Sequence, residues 1–251
     1  MNRAYWMEIK YEFLKQSRLR VYVFSTMLFP LAFYAFFGIF MGWQHQPGMG
    51  SLTRDLLGSY GTFGVIGASL FGFGVGVAVE RGLGWLEVKR ASPMPVAAYL
   101  AAKTATCLAF AGILVLLLFA LACTAGGVRL AASAWVLLWV TLVLGAAPFC
   151  AMGLAIGSLV GPNSAPAVIN LIYLPMALCS GLWMPLEILP KGLQRIAPAL
   201  PAYHLRQIAA AVIGGSFRGI PQHAEALLGF GLVFTGMAWI AQTRERAKIY
   251  G

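Results

Sequence analysis

Residues 58–79 read GSYGTFGVIGASLFGFGVGVAV, a run without a single charged side chain. As an α-helix rising 1.5 Å per residue it would measure about 33 Å, enough to cross the ~30 Å hydrocarbon core of a bilayer. The run is continuous rather than alternating, which excludes an outer-membrane barrel built of ~10-residue alternating segments. Working outward, further runs of the same kind occupy 21–43, 104–126, 133–160, 165–183 and 225–241, and none contains Asp, Glu, Lys or Arg until Glu225 opens the last. The remaining sequence cannot make this a soluble domain: charged residues are 10% of the 251-residue chain, against about 25% in a soluble protein. Disorder, collagen and a disulfide scaffold are excluded on the same composition. The reading is an all-α membrane protein with six transmembrane helices, a single transmembrane domain over 1–251.

The net charge of +10 would suggest nucleic acid in a soluble chain. Here the basic residues sit at the ends of apolar runs and read as topology. Arg3, Lys10, Lys15, Arg18, Arg20, Arg81, Lys89, Arg90, Lys103, Arg244, Arg246 and Lys248 fall on one side; Arg54, Arg129, Lys191, Arg195, Arg206 and Arg218 fall on the other. The positive-inside bias puts both termini in the cytoplasm of a multi-pass protein of the inner (plasma) membrane, with lipid and no nucleic acid as its environment. A cleaved signal peptide is not expected, because the first apolar run begins late, is too long and lacks an A-x-A site.

Residues 1–20 precede the first span. Trp6, Ile9 and Phe13 recur at helical spacing among Lys10, Lys15, Arg18 and Arg20, the pattern of an interfacial amphipathic helix or of a plain basic flank. Within the spans, Gly61, Gly64 and Gly67, Gly72 and Gly76, and Gly153, Gly157 and Gly161 form small-residue ladders. Such ladders let helix backbones approach closely, either inside one chain or at a dimer seam. Pro30, Pro148 and Pro175 are expected to kink their helices.

Catalytic signatures are missing. There is no GxxxxGK[ST], HExxH, GxSxG or paired-carboxylate motif, so the chain binds no ATP through a P-loop and carries no catalytic or metal-ligating set. His45, His204 and His223 lie outside the predicted spans and read as solvated residues; Cys107, Cys123, Cys150 and Cys179 lie in apolar runs and read as inert buried thiols. The spans lack ionisable residues, which argues against proton-coupled transport but leaves Na⁺ coupling or a passive pore open.

Two segments carry more specific information. ERGLGWLEVKRASPMPVAAYLAAK, residues 80–103, is too amphipathic for a connector. Leu83, Leu86 and Val88 alternate with charges around Trp85, Pro93 and Pro95 break the chain, and a helix restarts at about Val96. Docking onto a soluble partner and lying on the lipid surface fit it equally. In the second segment, LCSGLWMPLEILPKGLQRIAPALPAYHLRQ (178–207), Pro185, Pro190, Pro198 and Pro201 cut the chain into short pieces, with an apolar stripe of Leu189, Leu193 and Ile196. It suits two short helices dipping into the outer leaflet over 184–207, or an ordinary outer loop.

Together these segments resemble the membrane subunit of an ABC-2 type transporter, the type V ABC exporter architecture. ERGLGWLEVKRASPMPVAAYLAAK matches that family's coupling loop between spans two and three, and LPMALCSGLWMPLEILPKGLQRIAPALPAYH (174–204) its break and re-entrant helices after span five. The resemblance implies an N-terminal interfacial helix, a cytoplasmic coupling helix and outer re-entrant helices shaped by Gly181, Pro185, Pro190 and Pro201. It implies a separate P-loop ABC ATPase subunit that holds ATP and magnesium, none being bound by this chain, and a second copy of the chain or a related permease. ATPase coupling then falls to Glu80, Arg81, Gly84, Trp85, Glu87, Lys89, Arg90 and Pro93. With apolar spans and short outer loops, a hydrophobic or amphipathic substrate (drug, lipid or natural product) is expected along Phe63, Phe71, Phe73, Asn170, Tyr173 and Met176. For Asn170, an interhelical hydrogen bond is an equal reading. An ion-gradient-driven secondary transporter or passive channel, and a non-transporting scaffold, are the competing classes.

Overall fold

The structure is a computed structural model that describes residues 2–40, 50–85, 88 and 96–250. The described residues form helices and turns. Helix α1 (Asn2–Arg18) breaks at Leu19 and α2 (Arg20–Phe33) continues into a π-helical stretch, Tyr34–Phe40. Helix α3 (Gly50–Ser69), a π turn (Leu70–Val75) and α4 (Gly76–Gly82) form one rod. Then follow α5 (Val96–Thr124), α6 (Ala132–Leu144), α7 (Ala147–Leu159), α8 (Ala165–Cys179), α9 (Lys191–Ile196), α10 (Pro201–Gly214) and α11 (Ile220–Tyr250), with 3-10 turns at Leu186–Ile188 and Ala197–Ala199.

Among the described residues, five helical stretches are long and apolar enough to cross a membrane: Tyr22–Phe40, Leu52–Gly82, Ala98–Thr124, Ala132–Leu159 and Ile220–Ala241. These match five of the six predicted runs. The predicted span at 165–183 instead ends at Cys179, giving a 15-residue helix of about 22 Å. Ser180 closes it and Gly181, at φ 73°, turns the chain away. A positive φ of this kind suits glycine, and the apolar run alone could not reveal the stop. Span four is also broken, at Gly145–Ala146, with Pro148 in the first turn of α7 where its missing N–H costs nothing.

The rod α3–π–α4 is the hub. Its span is 72% buried, against 17% for Ile220–Ala241, and Tyr60, Phe63, Leu57 and Ile66 on it are fully enclosed. It contacts α2, α5, α6, α7, α8 and α10. The glycine ladders make this possible within one chain. A Cβ at Gly61 would strike Leu142, one at Gly64 Leu114, one at Gly67 Tyr173 and one at Gly72 Tyr22. A backbone-on-backbone seam joins the π turn to α7: a Cβ at Gly157 would stand 2.5 Å from the Gly74 carbonyl oxygen, and one at Gly153 about 3 Å from Phe73 and the Gly74 nitrogen. Of the two uses the ladders allowed, these positions serve intramolecular packing.

Several polar groups inside the bundle find backbone partners, as an apolar surround favours, while the buried hydroxyls of Thr62, Thr106 and Ser180 have none among the described residues. The Thr53 hydroxyl donates to the Gly38 carbonyl (2.6 Å) and Tyr34 to the Thr53 carbonyl (3.2 Å), joining the π stretch after α2 to α3. Pieces cut at Pro185, Pro190, Pro198 and Pro201 lead into α10, which is held to α3 by Arg54 bonding the Ile213 carbonyl and Arg206 bonding Ser59. Burial lowers the Arg206 guanidinium from its ordinary value, opposed by Glu187 and Asp55.

Two sequence expectations change. His204 and His223 are not isolated solvated residues: their Nδ1 atoms lie 2.9 Å apart between α10 and α11, because the glycine turn at 215–219 folds these helices together. His45 lies outside the described residues. Of the cysteines, Cys107 and Cys150 are buried with sulfurs 3.1 Å apart, Cys179 is half-buried, and Cys123 is exposed on the flank of α5.

The Gly74–Gly157 contact is backbone on backbone and cannot yield to a side chain. Gly157→Val is expected to lower stability by about 1–3 kcal/mol, read as a lower melting temperature of the purified chain. Gly229→Ala, which meets open space in α11, should leave it unchanged or raise it.

Candidate functional site

A cavity of about 1580 Å³ opens along one flank of the bundle between α1–α2, the α3–α4 rod and α8. Its walls are mostly apolar: Phe24, Leu28, Phe29 and Pro30 on α2, Phe63, Phe71 and Val75 on the rod, and Tyr173 and Leu174 on α8. The π turn produces one wall. The extra residue per turn re-aims the helix surface, so Phe71 and Val75 face the cleft while Phe73 and Gly74 turn to α7. The carbonyls leading into that turn are held from both sides. Tyr22 donates to the Ala68 carbonyl (3.1 Å) and Tyr173 to the Phe63 carbonyl (2.8 Å), and the Tyr173 ring stacks on Phe63 at 4.8 Å. The amide of Asn170 is exposed on the cleft wall and makes no hydrogen bond among the described residues.

At the end nearest the 80–103 loop the cleft becomes charged. Lys103 on α5 is 4% exposed and lies between two equally buried carboxylates, Glu12 of α1 (2.5 Å) and Glu80 of α4 (2.9 Å). Lys15 of α1 also binds Glu80 and stands 3.9 Å from Glu12; Tyr99 of α5 donates to the other Glu80 oxygen at 2.7 Å. Two carboxylates and two ammonium groups compensate one another, which is the condition for burying any of them. The cluster fastens α1 to the two helix ends that bound the loop. Beside it, Arg81 donates to the Ser158 and Val160 carbonyls, capping the end of α7.

The sequence-predicted residues divide accordingly. Phe63, Phe71, Asn170 and Tyr173 line the cleft together. Phe73 packs on Val77, Cys107 and Cys150, and Met176 lies in the main core. Glu80 and Trp85 both line the cleft's loop end, Glu80 turned into the ion cluster and Trp85 54% exposed; Leu83 and Val88 are exposed as well. Gly84 adopts φ 72° in the turn that ends the rod. Glu87, Lys89, Arg90 and Pro93 lie outside the described residues. Gly181, Pro185, Pro190 and Pro201 shape the chain after α8, far along the sequence from the cluster.

Sequence reasoning missed Glu12, Lys15, Tyr99 and Lys103 as a group. Glu80 and Lys103 stand one residue outside the runs drawn at 58–79 and 104–126, yet their helices continue through them. The inward face of α1 was missed as well. Glu12 and Gln16 face inward while Trp6 and Tyr11 face out, although Phe13 does pack, on Phe110 at 5.2 Å. The signal was there in the four-residue spacing of Glu8, Glu12 and Gln16, a polar stripe on one face.

A family model described as ABC-2 type transporter matches residues 3–213. The chain is 28% identical over 198 residues, 79% of its length and 80% of the relative's, to a Bacillus subtilis (strain 168) protein named "Putative transport permease YvfS". The chain belongs to the ABC-2 type transporter family, a family of transport permeases, and is a multi-pass membrane protein.

Removing Lys103 leaves two buried carboxylates to the single, half-exposed Lys15. Lys103→Met is expected to cost about 3–5 kcal/mol, seen as a large drop in melting temperature in detergent. The double variant Lys103→Met, Glu80→Gln should recover part of that loss. Equal losses in both variants would mean that the charges do not act as one group.

Proposed function

We propose that this ABC-2 family member is the permease subunit of an ATP-driven exporter of the type V architecture. It would move a hydrophobic or amphipathic substrate out of the cytoplasm or inner leaflet through the lateral cleft. The observation that carries this reading is continuity: Glu80, Leu83 and Trp85 line one end of the cleft and also open the 80–103 segment. A force applied to that segment acts directly on a wall of the cavity.

In this reading both termini are cytoplasmic, a P-loop ABC ATPase subunit docks on 80–103, and two membrane subunits (identical or related) pair with two such ATPases. ATP and magnesium belong to the partner. Trp85, Leu83 and Val88 supply exposed apolar contact, with Glu87, Lys89, Arg90 and Pro93 in the same docking stretch. When the ATPases close, the loop moves, the Glu80–Lys103–Glu12 cluster carries the displacement into α1, and the spacing between spans two and five changes. Phe63, Phe71, Tyr173 and Asn170 then face the moving substrate. The pieces around Pro185, Pro190 and Pro201 act as re-entrant helices at the outer side.

One observation favours a second reading. Glu80 and Lys103 are buried ionisable groups at helix ends, and such groups can serve an ion-gradient-driven secondary transporter. A passive channel has no comparable support. Transport that persists without ATP and stops when the ion gradient is collapsed would favour the secondary transporter.

The chain should co-purify with a P-loop ATPase from its own cell, and vanadate should block the complex's ATP hydrolysis. Trp85→Ala with Glu87→Ala is expected to weaken the complex at least tenfold, because a truncated aromatic anchor commonly costs about 2 kcal/mol or more. Unchanged assembly would remove 80–103 as the docking site.

A further inference from the structure

We infer that the cleft takes an amphiphile with an anionic head group and a long apolar tail, admitted sideways from the leaflet at the loop end. The inference rests on the cleft being the substrate path and adds the head-group charge. The first observation is the distribution of charge. At the loop end the cleft and its cluster hold four cations, Lys15, Lys103, Arg18 and Arg20, against three anions, Glu8, Glu12 and Glu80. Glu12 and Glu80 are already matched by Lys15 and Lys103. Glu8 is half-buried and makes an interaction of its own. Arg18 and Arg20 remain, both exposed, both on the cleft lining, and neither in an ion pair among the described residues.

The second observation is where those arginines stand. Leu19 breaks the chain between α1 and α2 at φ −77°, ψ 82°, so Arg18 closes one helix and Arg20 opens the next. They stand at the seam where the aromatic and aliphatic wall of α2 begins. A guanidinium presents a planar fork of donors matched to carboxylate or phosphate oxygens. The third observation is the cavity itself. At about 1580 Å³ it exceeds the ~300–1,000 Å³ typical of drug-sized pockets. Away from the charged loop end, the walls past the arginines (Phe24 to Val75, and Pro166 to Leu174) offer the Asn170 amide and the Thr26 and Tyr173 hydroxyls, and otherwise apolar and aromatic surface. A tail fits such a wall without leaving polar groups unpaired. A cationic amphiphile would meet the two arginines first.

The test uses the full chain in nanodiscs with light-activated probes sharing one long acyl chain. One probe ends in a carboxylate, one in a phosphoglycerol head on a diacyl lipid, and one in a trimethylammonium group; labelled peptides are mapped by mass spectrometry. The anionic probes should label α2 around Phe24–Phe29 and α8 around Asn170–Leu174, with about tenfold less labelling by the ammonium probe. Which anionic probe labels more strongly tells whether a free fatty anion or a phospholipid is preferred, and labelling by either supports the inference. Arg18→Gln with Arg20→Gln should remove the preference for anions, a change of about tenfold. Val75→Trp, which narrows the slot, should block labelling by all three, with melting temperatures confirming that both variants fold. Equal labelling by all head groups overturns the inference, as does a preference that survives loss of both arginines. Labelling that persists in Val75→Trp overturns it too, since the probe would then sit in surrounding lipid. Because no ATPase is present, failure of the docking model leaves this result standing, and failure here leaves the docking model standing.

Discussion

A lysine amine held between two carboxylates organises the loop end of this molecule. Lys103 reaches Glu12 of the first helix and Glu80 at the end of the hub rod, while Lys15 and Tyr99 occupy the remaining Glu80 positions. No member can leave alone without stranding a charge in an apolar surround. Three elements distant in sequence, α1, α4 and α5, are thereby forced to move together. Helices α4 and α5 bound the 80–103 segment, and α1 and α4 line the charged end of the cleft.

In the proposed mechanism the cluster would pass motion to a hub that is packed backbone on backbone on one side and borders a cavity on the other. Toward α7 the rod is locked by glycine backbone contact at Gly74, Gly153 and Gly157, and further along by Gly61 against Leu142. Toward α2 and α8 it is touched by single side chains, Tyr22, Tyr173 and Ile169, and borders the cavity. The π turn sets this asymmetry, sending Phe73 to the packed side and Phe71 to the cavity. In the proposed mechanism, displacement of the loop end would be resisted by α7 and expressed in the cleft.

Much of this was legible in the sequence. Charge-free runs located the long helices, proline spacing located the pieces after α8, and the two amphipathic segments pointed to the family. What stayed hidden depended on facing. A run of apolar residues does not announce that Gly181 will adopt a positive φ and end α8 early, nor that a π turn will separate Phe71 from Phe73. The charge cluster stayed hidden for a related reason: Glu80 and Lys103 look like ordinary flanks of their spans, and only packing against α1 reveals them as buried partners. His204 and His223 likewise meet only through the α10–α11 turn.

The central claim is that the charge cluster couples the loop end to the cleft. It is tested most directly by placing spin labels at Leu28 on α2 and Leu171 on α8, both exposed on helices flanking the cavity, in the complex with the ATPase. Trapping with ATP and vanadate should shift the distance distribution in the otherwise unchanged chain and leave it unmoved in a Glu80→Gln, Lys103→Met background. The same shift in both would contradict the account.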